Sequence, residues 1–415
     1  MPMNRNNLDS KIIFHQKNVR TMPTFNGVLV VIPTRNRADL AINAIQSVLN
    51  QPDCDIRVLV SDNSTEAMES LKLFKFWRRL KDSRLQYIRP STPLPMSKHW
   101  NWAMQQTLGR YNASHFIYLT DRMIFKVGSL KAILDITEKH PNKIISYGHD
   151  RINDYEFPVC LEQNHWTGKL LEIDSSHLIH LASKSVAHVS FPRMLNCIVP
   201  RSILEAMRKK FGSVFDSVSP DFCFCFRCLD TVKSILYYDA MPLIHYAIDR
   251  SNGASISRGL MSKDSKDFMA DLKKKDMCYL APIPEIRTVW NGIIHEYYFV
   301  KNEARNAKFP DVDKTCYLSA LAHETSQILD PGLKSEILEL LRVNGWNGWK
   351  ESKGASAFAQ KALSLKTYLR ALKKGFFPTK KFKNSSEAIH YVSKHPRKKY
   401  PIAIYLRFLK GKRIK

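Results

Sequence analysis

The chain has 415 residues, 44% of them hydrophobic and 25% charged, with 64 Lys+Arg against 38 Asp+Glu and a net charge of +26. These proportions are those of an ordinary soluble globular protein, long enough for two or three domains around a large core. No run approaches the ~18–20 apolar residues that span a bilayer, and Met1–Arg20 is polar, without the apolar centre and small-residue cleavage site of a signal peptide, so a cytoplasmic chain is expected.

Charge is distributed unevenly. From Lys350 to Lys415 there are 19 Lys+Arg against two acids, Glu351 and Glu387, so most of the excess is C-terminal. The eight cysteines follow no repeating spacing. Their one local cluster, Cys223, Cys225 and Cys228, lies within an aromatic run (Phe222, Phe224, Phe226) that reads as buried structure. Buried reduced thiols fit better than a zinc or disulfide site, because no partner motif converges on them.

In chain order, Gly27–Pro33 is a continuous apolar run, as expected for a central parallel strand covered on both faces. Asp39–Asn50 has apolar residues at Leu40, Ala41, Ala44, Ile45, Val48 and Leu49, a helical period. A strand at Ile56–Val60, a helix through Met68–Leu80 and a short strand at Leu85–Ile88 follow. Trp100–Leu108 is helical and His115–Leu119 is again a strand. This alternation predicts an α/β fold with a doubly wound, mainly parallel sheet. From Lys143 the pattern changes to short strands and long connections, including Lys169–Ile173. Past Ser262 it becomes mostly helical, with Ile337–Leu341 and Ala357–Leu372 amphipathic, and Gly345–Trp349 marks a break before the basic tail.

In doubly wound sheets ligands bind where strands end, which points to three turns. Pro33-Thr34-Arg35-Asn36-Arg37 presents a hydroxyl and two guanidinium groups near a helix start, an arrangement suited to phosphate. Asp62-Asn63-Ser64 offers a carboxylate for a base or ribose, or a plain helix cap. Thr120-Asp121-Arg122-Met123 places Asp121 just beyond the His115–Leu119 strand, where a cap is again the plainer reading.

Taken together, the ordered segments resemble the family 2 glycosyltransferases, which have the GT-A fold. The resemblance runs through Val28–Arg37, Val58–Ser64, His99–Met104, Gly109–Tyr111, Tyr118–Met123 and Gly128–Leu130. Two later pieces extend it: Ser219-Pro220-Asp221-Phe222, and Pro242–His245 leading to Ser251–Ser255. The resemblance implies that Pro33, Thr34 and Arg37 lie beside a nucleotide-sugar donor, that Asp62 binds its base, and that Asp121 sits near its ribose and diphosphate. It makes Asp221 the catalytic base that deprotonates an acceptor hydroxyl. Inverting sugar transfer needs such a carboxylate, and a positive group for the departing diphosphate. Ser-Pro-Asp also opens helices well, so an N-terminal helix role for Asp221 stays open.

One position departs from the family pattern. Where a second acid is expected to bind Mn²⁺ or Mg²⁺, this chain has Arg122. Two expectations follow. Either Arg122 neutralises the diphosphate and no metal is needed, as a permanently charged guanidinium can do, or donor binding is lost and the domain is an inactive scaffold. The first is favoured because Asp62, Asp121 and Asp221 remain. If a metal is used, Asp121 and His245 are its candidate ligands, although a histidine on an apolar strand is more often hydrogen-bonded in the core. The segment Ser251–Arg258 is either a loop that closes over the donor, bringing Arg258 to phosphate, or a connector.

Residues 361–415 interleave basic and apolar side chains, with Tyr400–Leu409 strongly apolar. An anionic membrane surface is the favoured partner of this tail, ahead of a partner protein. Nucleic acid is not expected, since no zinc-finger spacing or RNA-binding aromatic motif is present. The expected organisation is a polar lead (1–24), a nucleotide-sugar-binding and catalytic domain (25–260), a helical extension (261–349) and a basic tail (350–415). The expected acceptor is a saccharide or lipid-linked hydroxyl in surface polysaccharide or glycolipid assembly.

Overall fold

A computed structural model describes residues 25–155, 157–164, 166–259, 266, 279–348, 380–395 and 412–413. The N-terminal half alternates as its sequence period demands: β1 (Val28–Thr34), α1 (Ala38–Leu49), β2 (Ile56–Asp62), α2 (Ala67–Leu80), β3 (Leu85–Ile88), α3 (Met96–Arg110) and β4 (His115–Tyr118). Strands β3, β2, β1 and β4 lie side by side and all pair in parallel. Every residue of β1 is buried, and alternation along the strand divides them between two cores. Val28, Val30 and Ile32 pack with the apolar stripe of α1, while Leu29 and Val31 pack against Trp100 and Met104 of α3. Burying each such aliphatic side chain contributes about 1.5–3 kcal/mol, which is why an uninterrupted apolar run becomes a strand covered on both faces.

The chain continues through β5 (Met123–Phe125), α4 (Ser129–Lys139), β6 (Ile145–Asn153), β7 (Val159–Glu162), β8 (Leu170–Asp174), α5 (Ser175–Ser183), β9 (Cys197–Pro200), α6 (Arg201–Phe211), α7 (Pro220–Thr231) and β10 (Ser234–His245). Here the sheet becomes mixed. β9 runs antiparallel to both β4 and β6, β6 and β10 are parallel, and β8 is antiparallel to β10. The register of β6 against β10 shifts between Tyr238 and Leu243. At this irregularity Gly148 approaches Met241 so closely that a Cβ would lie 2.4 Å from its sulfur. Cys223, Cys225 and Cys228 all lie on α7, fully buried and free, and no metal-binding group of three or more His, Cys, Asp or Glu occurs among the described residues.

Beyond α8 (Asn252–Ser257) come α9 (Val289–Ala304), α10 (Lys314–Ser326) and α11 (Pro331–Val343). α9 packs on α7, and Arg227 of α7, fully buried, forms a two-pronged ion pair with Glu303 of α9 at 3.0 and 2.8 Å.

The basic C-terminal region is partly integrated with the sheet. β11 (Lys380–Phe382) pairs antiparallel with β7, and β12 (Lys412–Arg413) with β8. α12 (Ser385–Lys394) buries Ala388 and Val392 in a cluster with Ile152, Val159, Leu161, Ile244 and Tyr246. The polar lead, the amphipathic Ala357–Leu372 and the apolar Tyr400–Leu409 lie outside the described residues. Among the described residues no helix is long and apolar enough to cross a membrane.

Candidate functional site

The three sequence turns converge at the carboxyl ends of β1, β2 and β4, where an open α/β sheet binds ligands. Register explains it. Thr34 and Asp62 are Cα partners at the ends of β1 and β2, and β4 pairs with β1 on its other side. The turns are fastened to each other: Asn36, in the left-handed region at φ 55, accepts from the amides of Thr65 and Glu66 at 2.9 and 3.0 Å. Asparagine tolerates that backbone conformation better than most residues.

Thr34 and Arg37 do meet Asp121. The Thr34 hydroxyl donates to Oδ2 of Asp121 at 2.8 Å, and Nη1 of Arg37 reaches Oδ1 at 3.3 Å. At the start of α1 the amide of Ala38 donates to the Glu69 carboxylate at 2.7 Å. Asp62 is fully buried and accepts from the Ser64 amide (2.9 Å), the Ser70 hydroxyl (2.6 Å) and the Tyr87 hydroxyl (2.7 Å). Three of the roughly four acceptor positions of a carboxylate are thus filled from within the chain.

Arg122 is held by β-pairing. β5 runs antiparallel to the end of β10, and the amide of Tyr246 donates to the Arg122 carbonyl at 3.1 Å. This places Nη1 of Arg122 2.8 Å from Nε2 of His245, a donor on an acceptor nitrogen, so His245 is neutral with its proton on Nδ1. Burial, with Arg122 next in weight, drives the His245 pKa far down. Burial also lowers that of Arg122, to about 10, against the opposing pull of Asp121. His245 and Asp121 do not fit a divalent metal in this arrangement. A guanidinium sits on the imidazole nitrogen that would ligate it, and Asp121 is engaged by Thr34 and Arg37.

Sequence reading missed three residues that the fold brings to this place. His149 of β6 packs edge-on to His245, with ring centroids 5.6 Å apart, and burial drops its pKa to about 3. Arg151, two residues on, is the Cα partner of His245. Arg193 lies on the loop before β9, its amide donating to Asn196 Oδ1 at 3.0 Å. The positive charge of Arg193 acts on both imidazoles and on the carboxyl of Asp221. The buried Nε atoms of Arg122 and Arg151 have no hydrogen-bond partner. Buried donors without partners are costly, and cationic ones grouped around neutral rings form a cradle for an anion.

Asp221 stands in the first turn of α7, after Pro220 and the N-terminal cap Ser219. Both sequence readings of it are compatible with this position. Burial raises its carboxyl pKa and the Arg193 charge opposes the rise. The 251–258 segment forms the short α8, and the guanidinium of Arg258 lies 4.3 Å from the centroid of the Tyr155 ring.

Comparisons with known proteins add the following. Residues 29–192 match the model of Glycosyl transferase family 2. A protein of Rickettsia bellii (strain RML369-C), described as an uncharacterized glycosyltransferase, is 33% identical over 129 residues, or 31% of this chain and 17% of its own length. The match thus spans well under two thirds of that relative. Among solved structures, residues 1–349 of TarS from S. aureus, in complex with UDP-GlcNAc, align at 13% identity and a TM-score of 0.43, covering 77% of this chain and 88% of that one. Another S. aureus TarS structure aligns at 12% identity and a TM-score of 0.40, covering 77% and 53%. The stretch that matches the glycosyl transferase family 2 model thus runs from β1 to the loop just before Arg193.

Proposed function

We propose that this chain transfers a sugar from a nucleotide-sugar donor to an acceptor hydroxyl with inversion, and that guanidinium groups take the place of a divalent metal. The observation that carries the reading is the contact of Arg122 with neutral His245, beside two buried guanidinium Nε atoms that lack partners. Arg122, with Arg151 and Arg193, supplies the positive charge on which a departing nucleoside diphosphate settles. Thr34 and Arg37, braced by Asp121, line the donor side. Asp62 shapes the base end of the site by holding Ser64 and Tyr87, with one acceptor position left for a ligand.

In the reaction, Asp221 takes the proton of the acceptor hydroxyl as its oxygen bonds to the anomeric carbon. The bond from that carbon to the phosphate oxygen breaks, and the diphosphate leaves with the electron pair. Burial suits Asp221 to this, because a carboxyl whose pKa is raised is a stronger base. Assembly of a surface polysaccharide or glycolipid is the setting we propose. Contact of the basic tail with an anionic membrane rests on its composition alone.

The test is thermal shift of the full chain against UDP-, GDP- and dTDP-sugars and their free diphosphates, each with Mn²⁺ and with excess EDTA. A ligand that binds only the native state raises the melting temperature. A shift that persists in EDTA and is lost in Arg122→Met supports the reading. No shift with any donor would leave an inactive scaffold as the better account, and a shift only with Mn²⁺ would remove the guanidinium substitution.

A further inference from the structure

The turn that leads into Asp221 is held from another helix as well as by its own. Preceding α7, Ser217 takes the left-handed region at φ 61, a conformation that costs a non-glycine residue unless its surroundings impose it. The imposing groups come from α9, in the helical extension outside the family match. Oε1 of Glu296 accepts from the amides of Val218 at 2.9 Å and Ser219 at 2.6 Å. The neighbouring His295 accepts at Nδ1 from the Leu280 amide (2.8 Å), which leaves its proton on Nε2 to donate to the Ser217 hydroxyl at 2.7 Å. Glu296 is fully buried. Burial raises its pKa, and nearby Asp221 adds to the rise, against the opposing hydrogen bonds from the Ser219 and Val218 amides.

We propose that Glu296 is a positioning residue for Asp221: from α9 it fixes the two backbone amides that lead into the helical turn carrying the Asp221 carboxyl. The inference rests on the reading of Asp221 as the base. It explains why a catalytic residue at the start of one helix depends on a segment some seventy residues later. The role requires an acceptor oxygen at the position of Oε1, so glutamine should serve and a shorter acid should not.

The experiment compares Glu296→Gln, Glu296→Asp and Glu303→Gln in the full chain. Glu303→Gln weakens the buried Arg227 pair between the same two helices; Arg227 also bonds Ser213, so this variant reports what loosening of the helix pair and of residues 213–216 does while both amide bonds to Glu296 remain. Release of nucleoside diphosphate from UDP-, GDP- and dTDP-sugars gives kcat and donor KM, and amide hydrogen exchange follows residues 217–222. Glu296→Asp is expected to lose about 100-fold in kcat, the scale of a displacement near 1 Å, with donor KM within about twofold and faster exchange at 217–222. Glu296→Gln is expected to keep kcat, and Glu303→Gln to lower the melting temperature without changing kcat. Unchanged exchange in Glu296→Asp, or an equal loss of kcat in Glu303→Gln, would overturn the proposal. A wild-type chain that releases diphosphate from no donor counts against the transferase reading, and the exchange measurement then decides the Glu296 role independently.

Discussion

Nη1 of Arg122 lies 2.8 Å from Nε2 of His245, so a permanent cation and a neutral imidazole share one hydrogen bond at the edge of the candidate donor site. The pairing follows from the antiparallel register in which Met123 faces His245. It gives Arg122 a fixed direction, with its buried Nε left without a hydrogen-bond partner.

Replacing Arg122 with methionine is expected to weaken nucleoside diphosphate binding by about 10- to 100-fold, the loss of about 1.5–3 kcal/mol from a charged hydrogen-bonding group. Titration calorimetry with UDP and GDP in EDTA checks this. Unchanged affinity would place the diphosphate elsewhere.

Asp221→Asn should abolish turnover while leaving donor binding and folding intact, because asparagine preserves the shape of the turn but cannot take a proton. The loss expected is about 10²–10⁴-fold in kcat, read by diphosphate release alongside the melting temperature. An active Asp221→Asn enzyme would reduce Asp221 to a helix-start residue.

Asp62→Ala is expected to destabilise the fold by at least about 2 kcal/mol, since it strands the buried Ser64 amide and the hydroxyls of Ser70 and Tyr87. Urea unfolding measures it. A variant that binds donor poorly yet keeps wild-type stability would show that Asp62 serves the ligand alone.

Stability should fall in acid. Burial lowers the pKa of His99 and His149 to about 3 and of His188 and His295 to about 4, whereas the unfolded chain takes up those protons near 6.5. The unfolded state therefore binds more protons as pH drops below 6.5, and folding free energy is lost towards pH 4, by up to about 1.4 kcal/mol per pH unit for each histidine. Urea midpoints at pH 7, 6 and 5 test the slope, and His99→Phe should flatten it. A midpoint that stays level across this range would show that these rings are protonated in the fold.

The C-terminal segment should stabilise the domain from a distance in sequence. Val392→Ala is expected to cost about 1–3 kcal/mol, because Val392 is buried against residues of β6, β7 and β10. Ser385 also donates to Asp154 at 2.8 Å, the carboxylate that holds the amides of Ala247 and Ile248 just after His245. Equal unfolding curves for Val392→Ala and wild type would show that the segment is not docked in solution.

The sequence by itself determined the parallel half of the sheet. An apolar run such as Val28–Ile32 has one low-energy fate, a covered strand, and the helical period of Leu40–Leu49 supplies a cover for one face. The turns at Thr34, Asp62 and Asp121 were legible for the same reason, since they stand where those runs stop. Tertiary structure alone decided how Arg122 meets His245, because 123 residues separate them and only the β5–β10 register joins them. It also decided that His149, Arg151 and Arg193 gather there. Their approach depends on a shift in strand register beside Gly148 and on a loop pinned by Asn196, neither of which leaves a periodic signal. The same holds for residues 380–395. Their charge suggested a surface for an external partner, but two side chains, Ala388 and Val392, find an apolar patch assembled from three distant strands. Local pattern fixes what a segment can become, and only the packed chain supplies the complementary surface that decides where it goes.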